Sequence, residues 1–264
     1  MKIQGSRILL TGATGGLGQA IARDLHRRGG YLISTGRNGR VLGQLATELA
    51  GEAIEADLAE RDSVSEVVAA AGRVDILIAN AGLPGSGRLA DLSPRGIDRA
   101  IDVNLRSHMV LSHALIGQMR ERHSGHLVFV SSLSGKTAAP GSSVYNATKF
   151  AMRGFALSLR EELRGDGIGV SVIFPGFVRD AGMFADSGNI RLPRLVGTVG
   201  PDDVSGAVAQ AIERNRGEID VAPLMLRLGA RFSLAAPALS ATVQRWFGAE
   251  RLVAELAAGQ TSKR

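Results

Sequence analysis

Three residues spaced for proton transfer stand out in this 264-residue chain: Ser132, Tyr145 and Lys149. On a helix, Tyr145 and Lys149 are i and i+4 and leave the same face. An ammonium beside a phenol favours the phenolate and lowers its pKa from about 10 toward the working range. A tyrosine tuned in this way gives a proton to a developing alkoxide or takes one from an alcohol. Ser132 precedes it at the end of the apolar run His126-Leu127-Val128-Phe129-Val130-Ser131, placed to hold the same oxygen by hydrogen bond. A lone Tyr-x-x-x-Lys is common on ordinary helix surfaces. The preceding strand and a second cluster make this one specific.

That second cluster is Thr11-Gly12-Ala13-Thr14-Gly15-Gly16-Leu17-Gly18, directly after the apolar run Arg7-Ile8-Leu9-Leu10. Glycines in a strand-to-helix turn let backbone N–H groups approach a pyrophosphate, whose charge suits the helix N-terminus. The spacing is T-G-x-x-x-G-x-G, not the common G-x-G-x-x-G. About 20 residues further on, a site for NAD usually places Asp or Glu against the ribose hydroxyls. Here the chain reads Ser34-Thr35-Gly36-Arg37-Asn38, without a carboxylate. A guanidinium binds a 2′-phosphate through two charge-assisted hydrogen bonds. Arg37, helped by Asn38 and Thr35, therefore points to NADP as the cofactor.

Several elements are needed to bring these clusters together. Apolar runs begin at Arg7, Tyr31, Glu52, Val74, His126, Gly169 and Glu218, and longer amphipathic segments separate them. Such alternation predicts repeated βα units: a doubly wound, Rossmann-type α/β fold with a mostly parallel seven-stranded sheet and helices on both faces. Helices are expected from Gly18 to about Arg28, through Ile101 to about Arg122, and from Tyr145 to Arg164. No linker or repeat interrupts the chain, which predicts one domain over 1–264, with a substrate-covering lid at about 181–200 and a helical extension at 223–264.

Composition excludes several other chemistries. The chain has no cysteine, so disulfides, thiolate zinc, iron–sulfur clusters and a Cys nucleophile are out. Its five histidines form no chelating pair with a carboxylate, and no metal is expected; His108 and His113 read as packing or interface groups. The 31 Lys+Arg against 25 Asp+Glu are scattered, unlike a nucleic-acid footprint. The first residues do not resemble an export signal and no run approaches the ~18 apolar residues of a spanning helix, so a cytoplasmic protein is expected.

With Asp57-Leu58, Asn80-Ala81-Gly82, Asn104 and Pro175-Gly176 added, these motifs resemble the short-chain dehydrogenase/reductase family in order and spacing over about residues 5–222. The resemblance implies hydride transfer between a nicotinamide and a carbonyl or secondary alcohol. It implies Tyr145 as general acid/base and Ser132 as polariser of the substrate oxygen. Lys149 would bind the nicotinamide ribose, with Tyr145 beside the cofactor, and Asn104 would hold a water linking Lys149 to solvent. Asp57 and Leu58 would flank the adenine, Asn80, Ala81 and Gly82 would pass behind the cofactor, and Pro175, Gly176 and Val178 would line the nicotinamide. Where the family often has threonine, this chain has Asp180, with Arg179 as its expected partner. The resemblance also implies a homodimer or homotetramer.

The tail interleaves apolar groups with arginine, as in Leu224-Met225-Leu226-Arg227-Leu228. Packing on the body or on a neighbouring subunit is expected in preference to a membrane surface. The apolar lid and tail favour a lipophilic carbonyl or alcohol as the small-molecule substrate. The alternatives are a ketoacyl-type reductase on a carrier-linked substrate and a non-catalytic NADP sensor or scaffold. The intact Asn104, Ser132, Tyr145 and Lys149 set argues against the sensor.

Overall fold

The computed structural model describes residues 1–187 and 196–246; the middle of the expected lid (188–195) and the end of the tail (247–264) lie outside the described residues. The strands are β1 (Arg7–Thr11), β2 (Tyr31–Gly36), β3 (Glu52–Glu55), β4 (Ile76–Ala79), β5 (Gly125–Val130), β6 (Ile168–Pro175) and β7 (Glu218–Val221). All pair in parallel, in the order β3-β2-β1-β4-β5-β6-β7. The seven apolar runs are the seven strands, in the Rossmann-type sheet expected from the sequence. The order reverses between β1 and β4, and a ligand crevice opens at such a switch point, beyond the carboxyl ends of the strands.

One face of the sheet carries α1 (Gly16–Arg27), α2 (Gly39–Glu48) and, after β6, α8 (Pro201–Arg214). Ile8, Leu10, Ile76, Ile78 and Val128 pack there against Ile21, Leu25, Leu42 and Val208. The other face carries α3 (Ser63–Ala71), α4 (Pro94–Ile101), α5 (Ser107–Glu121) and α6 (Ser143–Glu162). Leu9, Leu77, Leu127, Phe129 and Val172 meet Val67, Leu111, Leu115 and Met152 on that side. Central strands buried on both faces explain why the sequence shows continuous apolar runs instead of alternation.

The long helix expected through Ile101 differs from the expectation. It starts at Pro94, where Ser93 Oγ accepts from the Gly96 N–H at 3.1 Å, and a π-helical turn, Asp102–Arg106, divides α4 from α5. A π turn widens the helix by one residue and is frequent at functional sites; Asn104 lies inside this one. Beyond β6 come the short α7 (Gly182–Ala185), then α9 (Leu224–Ala235) and α10 (Pro237–Trp246) on the tail. Among the described residues, no helix is long and apolar enough to cross a membrane.

Candidate active site

β1 delivers the glycine turn to the switch point. Thr11 is fully buried, and its Oγ accepts from the N–H groups of Asn80 and Ala81, each at 3.0 Å. Asn80 Nδ2 donates back to the carbonyls of Thr11 (3.0 Å) and Gly12 (3.3 Å), stitching the end of β4 to the turn. Gly12 has φ +66°, and a Cβ there would stand 2.8 Å from Ala81 Cα, so only glycine suits this approach. A Cβ on Gly18 would run into the carbonyl oxygen of Gly12. Gly15 caps α1 with no side-chain acceptor, and no acidic residue lies in the first turn. The first N–H groups of a helix lack intrahelical acceptors, and here they face no competing side-chain anion. This cradle fits a pyrophosphate. Thr14 lies against Gly36, linking the turn to the end of β2, and Gly16 and Leu17 face Ala181 and Gly182 at the start of the expected lid.

At the end of β2, Arg37 and Asn38 are both exposed, and Asn38 Oδ1 accepts from Val41 N at 3.1 Å to cap α2. Two charges here escaped the sequence reading. The β2–β3 register sets Gly36 opposite Glu55, whose carboxylate lies against Gly39. Arg99, from α4, donates to Asp57 Oδ2 at 2.6 Å, while Asp57 Oδ1 accepts from Ala59 N at 3.1 Å. Burial raises the Asp57 pKa, but Arg99, the Ala59 N–H and the charge of Arg37 together hold it below the usual carboxylate range. Arg37 and Asp57 thus share one end of the crevice, with Leu58 buried beneath.

At the other end, β5 and α6 bring Ser132, Tyr145 and Lys149 together. Ser132 Oγ accepts from Ser134 N at 3.1 Å, and its hydroxyl faces the Tyr145 phenol. Lys149 is 2% exposed; its Nζ donates to Val130 O at 3.1 Å and lies 5.7 Å from the centre of the Tyr145 ring. The expected lowering of the Tyr145 pKa does not hold. Burial pushes it up to about 12, against the opposing hydrogen bond from Ser132. Burial also draws Lys149 down to about 8. Lys149 spends a donor on a backbone carbonyl, and burial dominates both groups.

Asn104 is fully buried and closes a two-way bridge to Leu83: Oδ1 accepts from its N–H at 2.6 Å and Nδ2 donates to its carbonyl at 2.9 Å. A Cβ on Gly82 would meet Met183 Cε at 3.4 Å, Asn104 Oδ1 at 3.6 Å and Lys149 Nζ at 3.9 Å. Met183 of α7 therefore reaches over this end. Gly176 abuts Leu133, so the Pro175-Gly176 turn lies beside Ser132, and Val178 is buried as it bridges to Val199. Asp180 has φ +64° and pairs with Arg179 at 3.5 Å, as expected, in an exposed position. His108 is buried near Lys149; desolvation, with the lysine charge, lowers its pKa to about 3 against the nearby Asn104 backbone, so it stays neutral.

The residues from Arg37 past the glycine turn to Gly82 and Tyr145 thus follow the carboxyl ends of the strands, along the trough that a switch point opens. The family model of the short chain dehydrogenases matches residues 6–189. The chain belongs to this family. It is 34% identical over 261 residues to a ketoacyl reductase, HetN, of Nostoc, covering 93% of this chain and 90% of that protein. Among solved structures it resembles a short-chain dehydrogenase from Sphingobium yanoikuyae in complex with NADPH (TM-score 0.77, 27% identity, 92% of this chain and 95% of that one). It also resembles a 3-ketoacyl-(acyl-carrier-protein) reductase from Brucella melitensis complexed with NADH (TM-score 0.74, 25% identity, 83% and 97%). The protein is a short-chain dehydrogenase/reductase-type oxidoreductase that uses a nicotinamide cofactor.

Proposed function

We propose that the protein is an NADPH-dependent reductase of lipophilic ketones, with Tyr145 as the proton donor. The observation that carries this reading is the convergence of Ser132, Tyr145, Lys149 and Asn104 at one end of a trough whose other end holds a pyrophosphate cradle and Arg37. When bound, the cofactor supplies the hydride. Gly12, Thr14, Gly15, Gly16, Leu17 and Gly18 hold its phosphates, Arg37 and Asn38 its 2′-phosphate, and Lys149 its nicotinamide ribose. Tyr145 gives its proton to the substrate oxygen while Ser132 donates a hydrogen bond to the same atom. The charge developing there meets two preset donors, usually the largest single contribution in such a step. A phenol raised to about 12 is protonated at neutral pH, the form that donates to a substrate oxygen. Asn104, its side chain tied to Leu83 and its backbone beside His108, would hold the water linking Lys149 to solvent.

The ketoacyl reductases among the relatives favour a second reading, a 3-oxoacyl thioester as the substrate. Oxidation of NADPH, followed with long-chain ketones and with a 3-oxoacyl thioester, tests both. Turnover of either class supports reduction, and the ratio of kcat/KM values assigns the substrate. NADPH binding without turnover of any carbonyl would move the sensor reading to the front. We further propose a homo-oligomer built on α5 and α6, where Met109, Phe150 and Leu157 are 38–39% exposed; light scattering after size exclusion reads its order.

A further inference from the structure

The helix α9 divides into three sectors around its axis. Leu226, Ala230 and Ser233 turn inward: Ala230 is 3% exposed, Leu226 packs against the core, and Ser233 shares hydrogen bonds with Thr137 and Ser240. Arg227, Arg231 and Leu234 follow on the next sector and line a depression of about 640 Å³ beside β7. The third sector is apolar and, among the described residues, uncovered: Leu224 is 65% exposed, Met225 61%, Leu228 49% and Phe232 40%, and Leu239 of α10 adds 57%. Packing on the body therefore accounts for one sector of three.

Charge says what fits the rest. Residues 221–249 contain no Asp or Glu, while Arg227, Arg231 and Arg245 are all cations. The two carboxylates in the depression, Glu218 and Asp220, are held by Lys136 at 3.0 and 2.6 Å, and Arg153 also binds Glu218 at 2.6 Å. Arg231 lies 3.9 Å from Asp220, and among the described residues Arg227 Nε has no hydrogen-bond partner. The excess beside α9 is thus positive. A protein partner leaves about one hydrogen bond per 100–200 Å² of interface, yet the uncovered sector offers only Leu, Met, Phe and Ala side chains. An apolar face bordered by arginines is the pattern of a helix lying in a lipid interface, its cations at the headgroups.

We propose that α9, continued by α10, docks this protein onto an anionic lipid surface, with Leu224, Met225, Leu228 and Phe232 entering the acyl boundary and Arg227 and Arg231 meeting lipid phosphates. The inference does not rest on the hydride-transfer reading, because its test measures binding, not turnover. The full chain is sedimented with phosphatidylcholine vesicles, with and without phosphatidylglycerol. The expected result is sedimentation with the anionic vesicles alone, weakened by salt. Leu224→Gln/Leu228→Gln should lower that partition at least roughly tenfold, and Arg231→Gln roughly fivefold. Circular dichroism and thermal melting of each variant report that it is folded. Failure to sediment with anionic vesicles, or equal sedimentation with neutral ones, overturns the proposal. Self-association that the leucine pair abolishes, without vesicle binding, assigns the face to a second copy of the chain and overturns it too.

Discussion

The two ends of the trough recognise their targets by different means. The phosphate end is mostly backbone: glycines that keep carbonyls and neighbouring chain at close range, and an uncapped helix N-terminus, with its charged side chains exposed. The hydride end is mostly side chain, with Asn104 and Lys149 buried and Tyr145 half-buried. Exposed charges are screened and tune affinity by degrees. Buried titratable groups are strongly shifted, so removing one changes what the site can do.

The largest effect should come from the hydride end. Tyr145→Phe should lower turnover by about 10²–10⁴-fold while leaving the NADPH dissociation constant within about twofold. Near-normal turnover would remove Tyr145 as the proton donor. Next is Lys149→Met. The folded pKa of about 8 lies below the ordinary 10.5, so burying the charged amine costs stability below pH 8, and that cost fades between about pH 8 and 10.5. The variant should therefore be inactive but more stable than the parent at pH 7, by on the order of 3 kcal/mol. The margin should close near pH 10.5; denaturant titrations at several pH values that show a constant margin would refute a buried, desolvated amine.

At the phosphate end, Arg37→Gln should weaken NADPH by roughly 10- to 150-fold, the worth of a charge-assisted hydrogen bond at about 1.5–3 kcal/mol. NADH binding should barely change, and equal losses for both cofactors would detach Arg37 from the 2′-phosphate. Smallest is Glu55→Gln. Removing a carboxylate beside Gly39 should tighten NADPH by a few-fold, roughly 0.2–1 kcal/mol for one exposed charge pair, without affecting NADH. A variant indistinguishable from the parent in both titrations would place Glu55 out of reach of the cofactor.

The central strands were legible because a strand buried on both faces must be apolar along its length; the edge strands β3 and β7, only partly buried, stood out through the alternation of short runs with longer helical segments. Gly12 and Gly18 were legible because a turn that tight leaves no room for a Cβ. Spacing could not show the rest. Arg99 meets Asp57 across 42 residues, and Glu55 reaches Gly39 only through the β2–β3 register. The π turn at Asn104 was hidden because the buried positions on either side of it keep ordinary helical spacing. The direction of the Tyr145 shift was missed because an i, i+4 pair reveals proximity, whereas desolvation depends on everything else packed around it. The uncovered sector of α9 was hidden by the same limit: its residues are apolar enough to belong to a core.

The bridge between Val178 and Val199 has a consequence for adaptability. Arg179 N–H donates to Val199 O and Val199 N–H to Phe177 O, each at 2.9 Å, so the intervening chain begins and ends at one tied neck. The neck fixes where this chain leaves and re-enters the body, while Ala181 and Gly182 hold it against the glycine turn and Met183 holds it against Gly82. Doubling the length of a flexible loop costs only about 0.6 kcal/mol in closure entropy. Changes of chain length between Val178 and Val199 should therefore cost little at the neck, provided Ala181, Gly182 and Met183 keep their contacts with the turn and with Gly82.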